Sequence, residues 1–185
     1  MKAANVKLIP LQKEDRNQFI LDNQEAFRFG ALEEFGIQDE HYEEPGEIIS
    51  QQTIEASIDA KGAEAYRIMQ DGKPVGGLVL QIDNETRRNH LDLLFVHPLA
   101  HGKGIGFAAW QAVEALHPET RVWETCTPYF EKRNLHFYIN KCGFHAVELF
   151  GHHHPDPREE DQVQEGDEFL MFRFEKTMKP EEGID

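Results

Sequence analysis

Three glycines fall within six residues, His101-Gly102-Lys103-Gly104-Ile105-Gly106, between an apolar run and an amphipathic one. Glycine has no Cβ to hold a ligand away from the backbone, and a helix begins with N–H groups that have no partner inside the helix. Gly102, Gly104 and Gly106 directly before a helix therefore form a nest of backbone donors suited to phosphate. Spacing narrows the type. In the nucleotide loop G-x-x-x-x-G-K-[S/T] the lysine is followed by a hydroxyl that holds magnesium, whereas Lys103 is followed by Gly104. The dinucleotide pattern G-x-G-x-x-G needs its third glycine one residue later than Gly106.

Other residues with chemical potential lie on either side. Alternation along the run before the glycines places His90, Asp92, Leu94 and Val96 on one side, where His90 and Asp92 are polar among apolar neighbours. Glu124 sits between apolar residues in Val122-Trp123-Glu124-Thr125, where a carboxylate needs a partner or a task. Cys126 reads first as a small buried hydrophobe, with acyl acceptance as the alternative. The run His152-His153-His154-Pro155-Asp156 has the composition of a metal site. Adjacent histidines on a strand point to opposite faces, however, and no cysteine or glutamate spacing completes a zinc set, so no metal is expected. Glu33, Glu34, Asp39, Glu40, Glu43, Glu44 and Glu47 form an acidic run without Lys or Arg, and a second acidic cluster spans Asp156 to Glu168. Such runs are mostly solvated faces; the functional alternative is a wall that attracts a cationic acceptor.

The elements that must position these groups follow from pattern. Leu91 to Val96 has the length of a buried strand, ended by His97-Pro98 because proline cannot donate a ladder hydrogen bond. Ile105, Ala109, Ala112, Val113 and Leu116 recur at helical spacing and stop before Pro118. Upstream, Val6 to Leu11 reads as a strand, Asp15 to Phe29 as a helix with Phe19, Ile20 and Phe27 on its apolar face, and Glu47 to Ile58 as a second helix. Ala63 to Gln70 and Pro74 to Ile82 read as a hairpin across Asp71-Gly72, a dipeptide suited to a type I′ turn. Downstream come a strand at Arg121 to Thr127 and a short helix at Asn134 to Lys141, ended by Gly143. Two further strands follow at Phe144 to Phe150 and Phe169 to Phe174. The result is a mixed α/β sheet in one domain, residues 1–178, with a frayed tail at 179–185.

Composition restricts the partners. A chain of 185 residues can bury a sizeable core, and 19 Lys and Arg against 34 Asp and Glu leave a net charge of −15. That field opposes a nucleic-acid backbone or an anionic membrane and favours a cationic small molecule. Two cysteines, Cys126 and Cys142, make no disulfide framework, and no apolar run at the amino terminus suits a signal peptide, so a cytoplasmic location is expected.

Val96-His97-Pro98 followed by His101-Gly102-Lys103-Gly104-Ile105-Gly106 resembles the pyrophosphate loop of the GNAT superfamily of N-acetyltransferases. That loop reads Gln or Arg, two residues, Gly, one residue, Gly or Ala, and His101 departs from it at the first position. Phe137-Tyr138-Ile139-Asn140-Lys141-Cys142-Gly143-Phe144 is similar to the family's aromatic-Tyr-x-Lys-x-Gly-Phe segment with one residue extra: counted back from Gly143, the tyrosine's usual place is Ile139. The resemblance implies the acyl-CoA N-acyltransferase fold, with a mostly antiparallel sheet of about seven strands. It implies acetyl-CoA held by Phe95, Val96, the His101 to Gly106 loop, Asn134 and Phe137, with a backbone N–H near Val96 stabilising the oxyanion. It implies transfer to a primary amine by direct attack, with His90, Asp92 or Glu124 in deprotonation and Tyr138 as acid to the CoA thiolate, and a homodimer as the family's common habit. The alternative within the same fold is a non-catalytic acyl-CoA-binding sensor or interaction module.

Overall fold

The computed structural model describes residues 4–35, 42–158 and 170–178. Seven strands form one sheet: β1 (Lys7–Pro10), β2 (Ala63–Gln70), β3 (Lys73–Gln81), β4 (Arg88–Val96), β5 (Val122–Pro128), β6 (His145–Phe150) and β7 (Met171–Thr177), in the order β1-β2-β3-β4-β5-β7-β6. Every pairing is antiparallel except β4 with β5, which is parallel. The helices are α1 (Arg16–Phe35), α2 (Gln51–Asp59), α3 (Ile105–Leu116) and α4 (Lys132–His136).

Two apolar clusters sandwich the sheet. Phe19 and Ile20 of α1 and Ile54 of α2 bury against Val79, Leu93 and Phe95 on one face. Ile105, Ala109, Trp110 and Val113 of α3 bury against Leu78, Leu80, Leu91 and Trp123 on the other. Trp110 and Trp123 meet edge to face with centroids 5.3 Å apart, an arrangement that adds about 1 kcal/mol to their area burial. The buried stripe of α3 differs from the sequence pattern at two places: Trp110 belongs to it and Leu116 is 46% exposed.

Local signals explain the boundaries. Asp71 and Gly72 both have positive φ, 51° and 76°, as a type I′ hairpin requires. The second helix begins at Gln51 instead of Glu47 because Ser50 caps it, its hydroxyl accepting from the Thr53 N–H at 3.0 Å. The first helix runs on to Phe35, beyond the expected end at Phe29, after a short 3₁₀ turn at Lys13–Asp15. The last strand starts at Met171; Phe169, most of the second acidic cluster and the tail 179–185 lie outside the described residues.

One irregularity in β4 matters for the site. Val79 faces Leu93 while Leu80 faces Leu91, so Asp92 is an extra residue, a β-bulge. A bulge breaks strict alternation. Leu94 and Val96 pack toward the α3 side, whereas Asp92 reaches α2, where its carboxylate accepts from the Ser57 hydroxyl. The expectation that His90, Asp92, Leu94 and Val96 share one side is therefore corrected: His90 Nε2 and Asp92 Oδ1 stay together, 3.8 Å apart, and the two apolar residues face away from them.

Candidate active site

β4 and β5 pair in parallel only from Arg88–Val122 to His90–Glu124 and then part, leaving a fork. The Thr125 hydroxyl donates to the Leu91 carbonyl at 2.9 Å where the strands diverge. The glycine loop closes the end of β4. Gly102 and Gly104 lie in the left-handed region, at φ 74° and 73°, a conformation that costs a side-chain-bearing residue about 1 kcal/mol or more. Gly104 is the N-cap of α3 and no side chain caps that end, so its first-turn N–H groups face outward from the loop. A Cβ at Gly102 or Gly104 would touch nothing within 4 Å, whereas at Gly106 it would reach the Phe137 ring at 3.5 Å. The first two glycines serve the turn and the approach of a ligand; the third serves packing of α3 beside Phe137.

On the α2 side of the fork stands His90, its side chain 20% exposed and its Nδ1 buried without a partner among the described residues. Burial pushes its pKa down and the Arg158 charge adds to this, against the opposing pull of Asp92, so the imidazole is neutral at pH 7. On the α3 side Tyr138 lies 8% exposed among Phe137, Phe144 and Phe174, with the Thr125 side chain near its hydroxyl. Burial raises its pKa far above the ordinary phenol value, which keeps it protonated.

The sequence model described as the Acetyltransferase (GNAT) family matches residues 23–144, about two thirds of the chain. The chain belongs to the GNAT acetyltransferase family. An uncharacterized protein of Bacillus subtilis (strain 168), YrkN, is 46% identical over 178 residues, covering 93% of this chain and 94% of that protein. Among solved structures, the fold is similar to that of the PaiA N-acetyltransferase from Thermoplasma acidophilum in complex with coenzyme A. The TM-score is 0.61 at 16% identity, covering 94% of this chain and 99% of that one. It is also similar to the ribosomal-protein-S18-alanine N-acetyltransferase from Escherichia coli, with TM-score 0.65 at 14% identity over 98% and 100% of the two chains. A third is the spermidine N-acetyltransferase from Vibrio cholerae in complex with CoA and spermine, with TM-score 0.63 at 13% identity over 93% and 95%.

This GNAT chain resolves its two departures from the family pattern in different ways. His101 does not point at the loop's cavity as a long polar side chain would. Its Nε2 lies 2.8 Å from the Val96 carbonyl and its Nδ1 lies 2.6 Å from Arg133 Nη2. A guanidinium only donates, so Nδ1 accepts and Nε2–H donates to Val96, which fixes the neutral tautomer. His101 thus ties the loop to the end of β4 and holds a guanidinium from α4 beside it. The extra residue near Tyr138 is absorbed by a π-helical turn over Phe137–Cys142.

The remaining candidates divide. Phe95 is 3% exposed and edge-on to Phe19, so its side chain belongs to the core, and only its backbone remains for a ligand. Ile105 is likewise a core anchor at 1% exposure, and Lys103 folds back so that its Nζ donates to the Leu99 carbonyl at 3.1 Å. Asn134 donates to Glu131 and, at 3.3 Å, to Thr127 Oγ1. Glu124 is held through Oε1 in an ion network with Arg88 and with Arg173 at 3.2 Å, both shared with Glu175. The described part of the first acidic run is occupied elsewhere. Glu43 accepts from the Ser50 N–H and the Thr53 hydroxyl at the start of α2, Glu44 accepts from Gln24, and Glu47 pairs with Arg28. The residues missed by sequence reading are Ser57, Arg133 and Arg158. Only Arg158 left a trace, as the single cation at the start of the second acidic cluster. Among the described residues no three His, Cys, Asp or Glu side chains converge as a metal set, and no helix is long and apolar enough to cross a membrane.

Proposed function

We propose that this protein is an N-acetyltransferase that moves the acetyl group of acetyl-CoA to a primary amine by direct attack on the thioester. The observation that carries the reading is the fork itself: a neutral, half-buried His90 on one side, a protonated Tyr138 on the other, and an uncapped glycine loop at its mouth. Backbone N–H groups of the His101 to Gly106 loop hold the CoA pyrophosphate. Arg133, placed by His101, supplies the positive charge that an arginine at position 101 would bring. A backbone N–H near Val96 stabilises the oxyanion.

An amine with a pKa near 10.4 is almost fully protonated at pH 7 and must lose a proton before it attacks. His90, with Asp92 Oδ1 3.8 Å from its Nε2, receives that proton as the amine closes on the carbonyl. The collapse of the tetrahedral adduct expels the CoA thiolate, which takes a proton from Tyr138 at the fork. Most of the acceleration is positioning, since amine and thioester meet in one cleft.

Calorimetric titration with acetyl-CoA, with ATP and NAD as controls, tests the donor site, and thiol release over an amine panel tests the reaction. Micromolar binding of acetyl-CoA alone, with thiol release for some amines, is the expected result. Tight binding without release for any amine would support a non-catalytic acyl-CoA sensor instead, a reading favoured by how deeply Tyr138 is buried.

A further inference from the structure

The acceptor side of the fork carries two poles of opposite sign. The negative pole is Asp92, 33% exposed, with Oδ2 held by Ser57 and Oδ1 turned to His90. The positive pole is Arg158. Its Nε and Nη2 donate to the Asp156 carboxylate at 2.9 and 2.6 Å, and Nη2 also donates to Cys126 Sγ at 3.2 Å. Cys126 lies two residues beyond Glu124, the residue paired with His90, so this contact fixes the guanidinium on the same face of β5. Burial raises the thiol's pKa, so the carboxylate of Asp156 is the negative charge in direct contact with the guanidinium. The Phe150 ring lies 5.9 Å from the guanidinium carbon. Nη1 has no partner among the described residues, and the side chain is 44% exposed. The guanidinium is thus held through Nε and Nη2, and Nη1 is the nitrogen left to a ligand.

We infer that the acceptor is an amine that also bears a carboxylate, with its ammonium drawn to Asp92 and His90 and its carboxylate bound by Nη1 of Arg158. The inference rests on the acetyl-transfer reading above. The Nη1 hydrogens match a carboxylate, whereas the distal ammonium of a polyamine, which like a guanidinium only donates, finds no acceptor there. Glu43, Glu44 and Glu47 of the acidic run that would have favoured a polyamine are committed to the joint of α1 and α2. A free amino acid and a peptide whose first residue is Asp or Glu share the required chemistry.

The test is thiol release by the full chain with matched acceptors: lysine against cadaverine, phenylalanine against phenethylamine, and Asp-Ala-Ala against Asn-Ala-Ala. The expected result is a kcat/KM at least about tenfold higher for the carboxylate-bearing member of the amino-acid pairs or of the peptide pair, and whichever pair discriminates identifies the source. In Arg158→Gln that ratio should fall toward one, and in Arg158→Lys it should be intermediate. Acetyl-CoA affinity and Tm monitor the fold of each variant. A ratio near one in the wild-type protein for all three pairs overturns the anchor while N-acetyl transfer stands, as does a ratio unchanged by Arg158→Gln. No thiol release with any amine overturns the acetyl-transfer reading, and this inference falls with it.

Discussion

The cofactor side of the fork is made of backbone, and the acceptor side is made of side chains. Between Val96 and Ile105 the working groups are N–H donors presented by left-handed glycines and an uncapped helix, all from one continuous segment. His90, Asp92, Ser57, Cys126 and Arg158 instead reach their positions from β4, α2, β5 and the segment before residue 159. A backbone device is rigid and indifferent to neighbouring residue types; a side-chain device can be retuned one residue at a time. A common donor with a variable acceptor is what such a division permits.

The sharpest way to break that contrast is Gly104→Val. A β-branched residue at φ 73° is strained and would crowd the loop's donors, so acetyl-CoA affinity should drop by more than about a hundredfold in a calorimetric titration. Retained affinity would mean that the phosphate is held elsewhere. On the other side of the fork, His90→Gln should lower kcat by about a hundredfold with acetyl-CoA affinity preserved. The sign of its pH dependence follows from burial. The folded pKa lies below the ordinary 6.5, so the neutral imidazole persists into mild acid, and wild-type turnover should fall only below about pH 6.5. The stability that goes with it is complete above that pH and is lost as pH falls through the lowered value. His90→Gln should abolish this limb of the rate profile.

Tyr138→Phe should lower kcat by about tenfold or more at unchanged Tm within a degree or two, because the ring packing survives and only the hydroxyl is lost. An unchanged rate would remove it as the acid. The smallest effect sharpens the contrast at its one mixed point, where a side chain serves the backbone loop. His101→Leu and Arg133→Ala should each weaken acetyl-CoA binding by about fivefold, and the double variant should lose little more than either alone, since the histidine acts by holding the arginine. Additive losses, measured by the same titration, would separate the two.

The contrast also governs what was readable in the sequence. The glycine spacing, the Asp71-Gly72 hairpin and the strand before Pro98 could be read directly, because local backbone chemistry is written in residues next to one another. The face of Asp92 was misjudged because a bulge depends on what the partner strand β3 opposes, and alternation counted along one strand cannot detect it. His101 reads as a departure from Gln or Arg only while Arg133, 32 positions away, is out of view. Glu43, Glu44 and Glu47 look like a free acidic wall until their partners, Ser50, Gln24 and Arg28, are in place.

The π-helical turn at Phe137–Cys142 makes this stretch forgiving of a change in length. An ordinary helix that loses a residue swings everything on one side of the cut by about 100°, and a packed aromatic such as Tyr138 would leave its neighbours. Here the slack is already stored in one wide turn, and Ile139, 43% exposed, lies within it. Excising that isoleucine would let the turn tighten to normal pitch while the residues on both sides keep their bearings. A one-residue deletion at Ile139 should therefore leave the sheet and its packing in place.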